Sequence, residues 1–266
     1  MLFLTISILE GIMLVMKFGG ASVANAKHFL KIADIILERS EKHPEMVVVV
    51  SAMGNTTDQL LALAKEVHPD PPRREVDMLI SVGERISIAL LAMALSLKGK
   101  EAVSFTGSQS GIITCDHHTE AQIIDVRPHR LLPVLSRGQI AIVAGFQGVS
   151  AKGEITTLGR GGSDTTAVAL AVALGAFEVE FYKDVPGIFT ADPKKNPTAE
   201  PLASLSYGEA LQIAKQGAKV LHPRSIALAE KNGVRLSVLS FLHPQQMGTS
   251  IGFGERKKTK IYEMAG

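Results

Sequence analysis

The chain has 266 residues, a formal net charge of +2, 46% hydrophobic and 20% charged residues. That balance excludes global disorder, suits one large α/β domain or two small ones, and makes no case for binding nucleic acid or a membrane. The single cysteine, Cys115, excludes an intramolecular disulfide and fits a reducing, cytoplasmic compartment, and the lack of Trp removes a stacking platform for bases.

Residues 1–11 are an apolar extension of unassigned role. No Lys or Arg precedes the run, it is too short to span a bilayer, and it carries Glu10. Residues 12–18 predict a buried strand ending in Gly19-Gly20. Ser22 or Asn25 can cap the next helix, where Phe29, Ile32, Ala33 and Ile36 fall on one face. Residues 46–50 are a β-branched run, as expected of a strand covered on both faces. Strand, helix, strand over this span predicts a βαβ unit in a parallel sheet. Residues 54–58 read as a loop capping a short helix, 68–72 as a breaker, and 77–97 as one long apolar helix containing Glu84 and Arg85.

Residues 102–106 predict a third buried strand, 107–118 a hairpin or flap, 121–126 a short strand and 128–136 a helix. Another buried strand, 140–144, runs into Gly145-Phe146-Gln147-Gly148. After the Gly-rich stretch at 156–167 come a helix, a strand at 178–182, a long Pro-bearing loop at 183–201, helices at 207–215 and 223–232, and a strand at 234–240. The main domain is expected over 12–252. The tail, 253–266, carries Arg256, Lys257, Lys258 and Lys260 and reads as a solvated end. The alternation predicts an α/β fold, a three-layer αβα sandwich with a mostly parallel sheet. Ligands of such sheets sit at the carboxyl ends of the strands. Five polar loops follow predicted strands there: 17–20, 51–58, 145–148, 160–164 and 184–192.

The chemistry concentrates in Thr157-Leu158-Gly159-Arg160-Gly161-Gly162-Ser163-Asp164, a Gly-rich turn opening into a helix. Glycines admit positive φ and close backbone approach to a ligand. Ser163 and Asp164 suit a helix start, whose free N–H groups form an anion site. Arg160 adds a planar fork for a carboxylate or phosphate. Lys17 at a strand end is costly unless its ammonium reaches a cleft, where the N–H groups of Gly19 and Gly20 can approach the same anion. This is not the Walker phosphate-loop pattern. Glu84, in an apolar helix, is either half of an ion pair at a solvated edge or a carboxylate aimed at a substrate cation. His117 and His118 read as polar surface, and His222, before Pro223, as serving a helix start.

Together these stretches resemble a known family. Lys17-Phe18-Gly19-Gly20-Ala21-Ser22-Val23, Gly83-Glu84-Arg85, Ala144-Gly145-Phe146-Gln147-Gly148, the Gly-rich turn, and Gly217-Ala218-Lys219-Val220-Leu221-His222-Pro223 are similar to the motifs of the aspartokinases, in that family's order, over about residues 13–251. The resemblance implies the amino-acid-kinase fold and phosphorylation of the aspartate side-chain carboxylate by MgATP, the first step of lysine, threonine and methionine synthesis. It implies that Lys17 neutralises the transferring phosphoryl group and that Asp164 organises the lysines and the metal, magnesium being held through the ATP phosphates. Ser51, Thr57, Glu84, Arg160 and Ser163 would hold the amino acid, with Glu84 on its ammonium and a buried Arg160 on its α-carboxylate. Gly19, Gly20, Lys183, Asp184, Phe189, Lys194, Lys219 and Val220 would hold ATP. No nucleic-acid or membrane partner is implied, and a homodimer is compatible with it.

The sequence also departs from that family. Ala21 and Lys183 each stand where Thr is usual, and Phe189 where Tyr is frequent. The chain ends soon after Gly248-Thr249-Ser250-Ile251, where paired ACT domains usually follow, so no dedicated site for lysine or threonine as effector is visible. Two other readings stay open: a kinase for a related carboxylate such as glutamate or N-acetylglutamate, and a non-catalytic amino-acid-binding or regulatory subunit. An unblocked substrate ammonium for Glu84 argues against N-acetylglutamate. Intact Lys17 and Asp164 argue against the non-catalytic reading.

Overall fold

The structure, a computed structural model, describes residues 13–191, 196, 198–217, 220–252 and 259–264. The expectations for residues 1–11, Lys194 and Lys219 lie outside these. The chain opens with β1 (Met13–Phe18), a short 3₁₀ turn (Gly20–Val23), α1 (Ala26–Ser40), β2 (Glu45–Val50), α2 (Thr56–Val67), α3 (Arg73–Ile80), α4 (Val82–Leu97) and β3 (Ala102–Phe105). Then come β4 (Ile112–Thr114), β5 (Ile123–Val126), α5 (Leu132–Leu135), β6 (Ile140–Ala144), β7 (Gln147–Ser150), β8 (Ile155–Thr157) and α6 (Gly162–Leu174). The last part holds β9 (Glu178–Lys183), β10 (Ile188–Phe189), β11 (Pro201–Leu202), β12 (Ser204–Leu205), α7 (Tyr207–Lys215), α8 (Pro223–Asn232), β13 (Arg235–Ser240) and β14 (Thr249–Ile251).

An 8-stranded sheet in the order β12-β14-β13-β9-β1-β2-β6-β3 forms the middle layer. It is parallel from β13 to β3, with Met13 opposite Glu45 and Phe18 opposite Val50. Period-2 alternation assigns each β1 side chain to a layer. Leu14, Met16 and Phe18 pack with Phe29, Ile32 and Ile36 of α1 and with Leu91 and Leu95 of α4. Val15, Val47, Val49 and Phe181 pack on the other face, under α6 and α8. Lys17 shares the face of Val15, so its side chain is delivered to the α6 side. Every residue of α6 from Gly162 to Ala173 is buried, as expected of a helix apolar all round. Asn25 caps α1, accepting a hydrogen bond from the His28 N–H at 3.1 Å.

A second, 4-stranded sheet, β5-β4-β7-β8, forms a wall beside the carboxyl edge of the first. Several expectations change here. Of the hairpin or flap expected at 107–118 it is the hairpin that forms, β4 pairing antiparallel with β5, and β4 is held in addition by parallel pairing with β7. The single helix at 77–97 is two helices and begins earlier, at Arg73. It breaks at Ser81, whose carbonyl accepts a hydrogen bond from Gln147 Nε2 at 2.8 Å. The stretch Arg73–Leu97 is long and apolar enough to cross a membrane by length and composition, but 50% of its most apolar window is buried in the fold. Strand β3 pairs with β6 and is half-buried at the edge of the sheet formed by the described residues. Helix α5 spans four residues of the nine-residue expectation. Residues 259–264 are not a solvated end: Ile261 and Asn232 exchange hydrogen bonds at 2.7 and 2.8 Å, and Glu263 pairs with Arg224 at 2.7 Å.

Candidate active site

The carboxyl ends of β1 and β2, the start of α4 and the turn into α6 enclose a cleft of about 690 Å³. Lys17, Gly20, Ser51, Thr57, Glu84, Arg160, Ser163 and Asp164 line it. The sequence-predicted catalytic and amino-acid-binding residues are therefore brought together. Gly19, Lys183, Asp184, Phe189 and Val220 are not among the lining residues; Lys183 reaches the cleft's Asp164 from behind, Asp184 is exposed, and Phe189 belongs to the small β10–β11 pair.

At the floor lies a three-membered charge cluster. Lys17 Nζ is 2.5 Å from Asp164 Oδ1, and Lys183 Nζ is 3.3 Å from Asp164 Oδ2. Burial alone would raise the Asp164 carboxyl, but the two ammoniums overcome it and hold it at about 2. Burial pushes the Lys183 ammonium down to about 8; Asp164 resists this and Lys17 adds to it. The cluster thus carries two cations on one anion without any ligand. The sheet and α6 make it: alternation sends Lys17 and Lys183 to the α6 face, and Asp164 stands in the first turn of α6.

Backbone fits close around these side chains. A Cβ on Gly20 would lie 3.0 Å from the Gly54 carbonyl, and the Gly54 N–H donates to the Gly20 carbonyl at 3.1 Å. Gly161 caps α6 at φ +73°, and a Cβ there would overlap the ring of His222 at 2.1 Å. His222 also caps α8, accepting from the Arg224 N–H at 3.3 Å, which is the helix-start role expected of it.

Glu84 lies in the first turn of α4, 2% exposed. Its Oε1 accepts the Ala52 N–H at 3.0 Å, while its Oε2 is buried without a hydrogen-bond partner among the described residues. Burial raises its carboxyl to about 8, against the Ala52 bond and the charge of Lys17. The solvated ion-pair reading of Glu84 is thereby excluded. Arg160 is exposed at the rim, between Gly159 at φ +69° and Gly161 at φ +73°. The expectation of a buried arginine does not hold: the turn into α6 holds Arg160 at the exposed mouth of the cleft.

Some of the cleft was not foreseen. Thr119, at φ +70°, and Glu120 form one wall, and Phe146, at φ +68°, another part of the lining. The 117–120 turn is pinned by Asp77, which is fully buried and accepts from Thr157 Oγ1 at 2.5 Å, from the Thr119 N–H at 3.1 Å and from His118 Nδ1 at 2.7 Å. His117 is exposed as expected, whereas His118 is a partly buried partner of Asp77. An Asp facing the core side of an apolar helix was the available signal. The backbone N–H of Ala52 had none.

Among the described residues, no group of three or more His, Cys, Asp and Glu side chains could hold a metal ion. Asp164, the one acidic side chain at the floor, is engaged by two ammoniums.

Known proteins are similar to this chain in sequence and in fold. The aspartokinase of Mycolicibacterium smegmatis is 54% identical over 229 residues, covering 86% of this chain and 54% of the relative. Aspartate kinase from Synechocystis superposes with a TM-score of 0.82 at 42% identity, over 93% of this chain and 40% of that one. E. coli aspartokinase III, in complex with aspartate and ADP, superposes with a TM-score of 0.82 at 30% identity, over 92% of this chain and 65% of that one. The chain spans about half the length of the curated relatives it matches. The model of the amino acid kinase family matches residues 13–240, nearly all of the parallel sheet and the whole lining of the cleft. The chain belongs to the amino acid kinase family.

Proposed function

We propose that the chain transfers the γ-phosphoryl group of MgATP to the side-chain carboxylate of L-aspartate, forming 4-phospho-L-aspartate and ADP, the first step of lysine, threonine and methionine synthesis. Glu84 carries this reading. A buried carboxylate with one oxygen unpartnered among the described residues, across the cleft from the Lys17 ammonium, asks for a ligand with a cation at one end and an anion at the other. Aspartate has an ammonium for Glu84, an α-carboxylate for Arg160, and a second carboxylate to lie over Lys17. Ser51, Thr57 and Ser163 line the same space and can supply hydroxyls. The relatives named aspartokinase, and the complex of E. coli aspartokinase III with aspartate and ADP, support the same assignment.

The chemistry follows from charge. The acceptor carboxylate, with an ordinary pKa near 4, is already ionised, so it attacks the γ-phosphorus without a general base. The new bond is carboxylate oxygen to phosphorus; the bond that breaks is phosphorus to the bridging oxygen, and ADP leaves with the electron pair. Two anions must approach, so the work is electrostatic. Lys17 neutralises the phosphoryl group in flight. Asp164 holds Lys17 and Lys183 in place and keeps their mutual repulsion tolerable. The N–H groups of Gly19 and Gly20 approach the phosphates. Lys183, Asp184, Phe189, Lys194, Lys219 and Val220 are assigned to ATP by resemblance. Magnesium arrives with the nucleotide, and no step depends on a protein site for it.

ATP-dependent acyl-hydroxamate formation, run with aspartate, glutamate and N-acetylglutamate side by side, tests this. Aspartate should be preferred. N-acetylglutamate, lacking an ammonium for Glu84, should give no product. Turnover with N-acetylglutamate, or binding of both ligands with no turnover at all, would overturn the reading.

A further inference from the structure

Arg224 does work that the kinase reading has not used. It stands in the first turn of α8, at the positive end of the helix dipole, where a cation is mildly unfavourable. Its guanidinium instead spreads over three other segments. Nε donates to Glu263 Oε1 at 2.7 Å and Nη2 to Glu263 Oε2 at 3.0 Å, a two-pronged pair. Nη2 also donates to the Ala121 carbonyl at 3.1 Å, and Nη1 to the Leu158 carbonyl.

Those two carbonyls flank the cleft. Leu158 directly precedes Gly159-Arg160-Gly161, and its N–H donates to Phe146 at 2.8 Å. Ala121 directly follows the Thr119-Glu120 wall, and its N–H donates to Thr157 at 2.9 Å. One guanidinium therefore ties both rims together from behind. Glu263 fixes the guanidinium in turn. Its Oε2 accepts the Ile123 N–H at 2.8 Å, its own N–H donates to Ile123 at 3.1 Å, and its side chain is 10% exposed. Lys260, bonded to the Ala173 carbonyl at 2.6 Å, and Ile261, bonded to Asn232, hold the segment beside it. Glu263 lies beyond residue 240, where the family match stops.

We propose that Arg224 and the tail residue Glu263 are positioning residues for the amino-acid half of the cleft: Glu263 orients Arg224, and Arg224 fixes the turn that presents Arg160. The proposal rests on the aspartate kinase reading for its kinetic consequence, but the clamp itself can be read without it. Arg160, exposed between two glycines, is a tryptic site whose cutting reports how firmly the turn is held.

The full chain should be compared as wild type, Glu263→Ala and Glu263→Gln. Glu263→Ala should raise the aspartate KM about tenfold, the worth of one charge-assisted hydrogen bond, and leave the ATP KM within about twofold. Glu263→Gln should recover part of the loss, since its amide oxygen can still accept the Ile123 N–H. Native trypsin should cut the Arg160–Gly161 bond faster in Glu263→Ala than in wild type. An unchanged aspartate KM, or parallel loss in both KM values with unchanged cutting, overturns the proposal. If Glu263→Ala does not fold, Glu263→Gln decides by the same measures. A wild type without aspartate-dependent ADP release defeats the kinase reading alone. Cutting at Arg160 then still upholds the clamp if it is faster in the variant and overturns it if it is not.

Discussion

The two halves of the cleft hold their charge differently. On the floor, Lys17, Asp164 and Lys183 satisfy one another before any ligand arrives. On the amino-acid side, Glu84 has one bonded oxygen and one bare one, and its carboxyl is raised to about 8. On the proposed reading, the floor is a preorganised field for a transition state. The Glu84 side is an unmet demand that a substrate ammonium would satisfy. Changes on the floor should therefore appear in kcat, and changes around Glu84 in the aspartate KM and in pH dependence.

Lys17→Ala tests the floor and should give the largest effect. We expect kcat to fall about 10²–10³-fold, the worth of one transition-state charge. The fold should persist, because Lys183 remains on Asp164. A folded variant with near-normal kcat would remove Lys17 from the mechanism.

Arg160→Lys comes next. An ammonium lacks the two-pronged fork, so the aspartate KM should rise by about tenfold or more while that for ATP barely moves. The opposite pattern would make Arg160 a phosphate clamp and return the search for the amino-acid site to Ser51, Thr57 and Gln147.

Glu84→Gln should also raise the aspartate KM, with a pH signature. Between the usual carboxyl value of 4.5 and about 8, the folded chain holds a proton on Glu84 that the unfolded chain releases. Its contribution to stability is thus full at low pH and is lost as pH rises toward 8. Ligand-free Glu84→Gln should keep more of its stability than wild type at pH 8, by about 3 kcal/mol, measured as denaturation midpoints at pH 5 and pH 8. Wild-type aspartate binding should tighten over pH 6–8, by up to about tenfold per unit, since the ammonium requires the ionised form. A pH-independent aspartate KM would break this account of Glu84.

Lys183→Thr should give the smallest effect. With its ammonium held down to about 8, Lys183 is charged below that pH and neutral above it. The wild-type ATP KM should rise by about two- to fivefold from pH 7 to pH 9, and the variant should show a flatter profile. Identical profiles would take Lys183 out of nucleotide binding.

The sequence alone determined what local rules control. The β-branched run of β2, the one-sided periodicity of α1 and the limits of α7 and α8 were legible because period and capping are properties of neighbouring residues. So was the identity of the charged residues at the strand ends. What it left open depended on partners far along the chain. At the break, the Ser81 carbonyl is engaged by Gln147, 66 residues away. The pairing of β4 with β7, the docking of Glu263 on Arg224 and the exposure of Arg160 likewise follow from how separate segments meet. Sequence placed a carboxylate in an apolar helix at Glu84. Only the tertiary structure could bury it, give it a single backbone donor and leave its second oxygen bare, because desolvation and hydrogen-bond satisfaction are set by the whole surrounding shell and not by the residue's own neighbours in the chain.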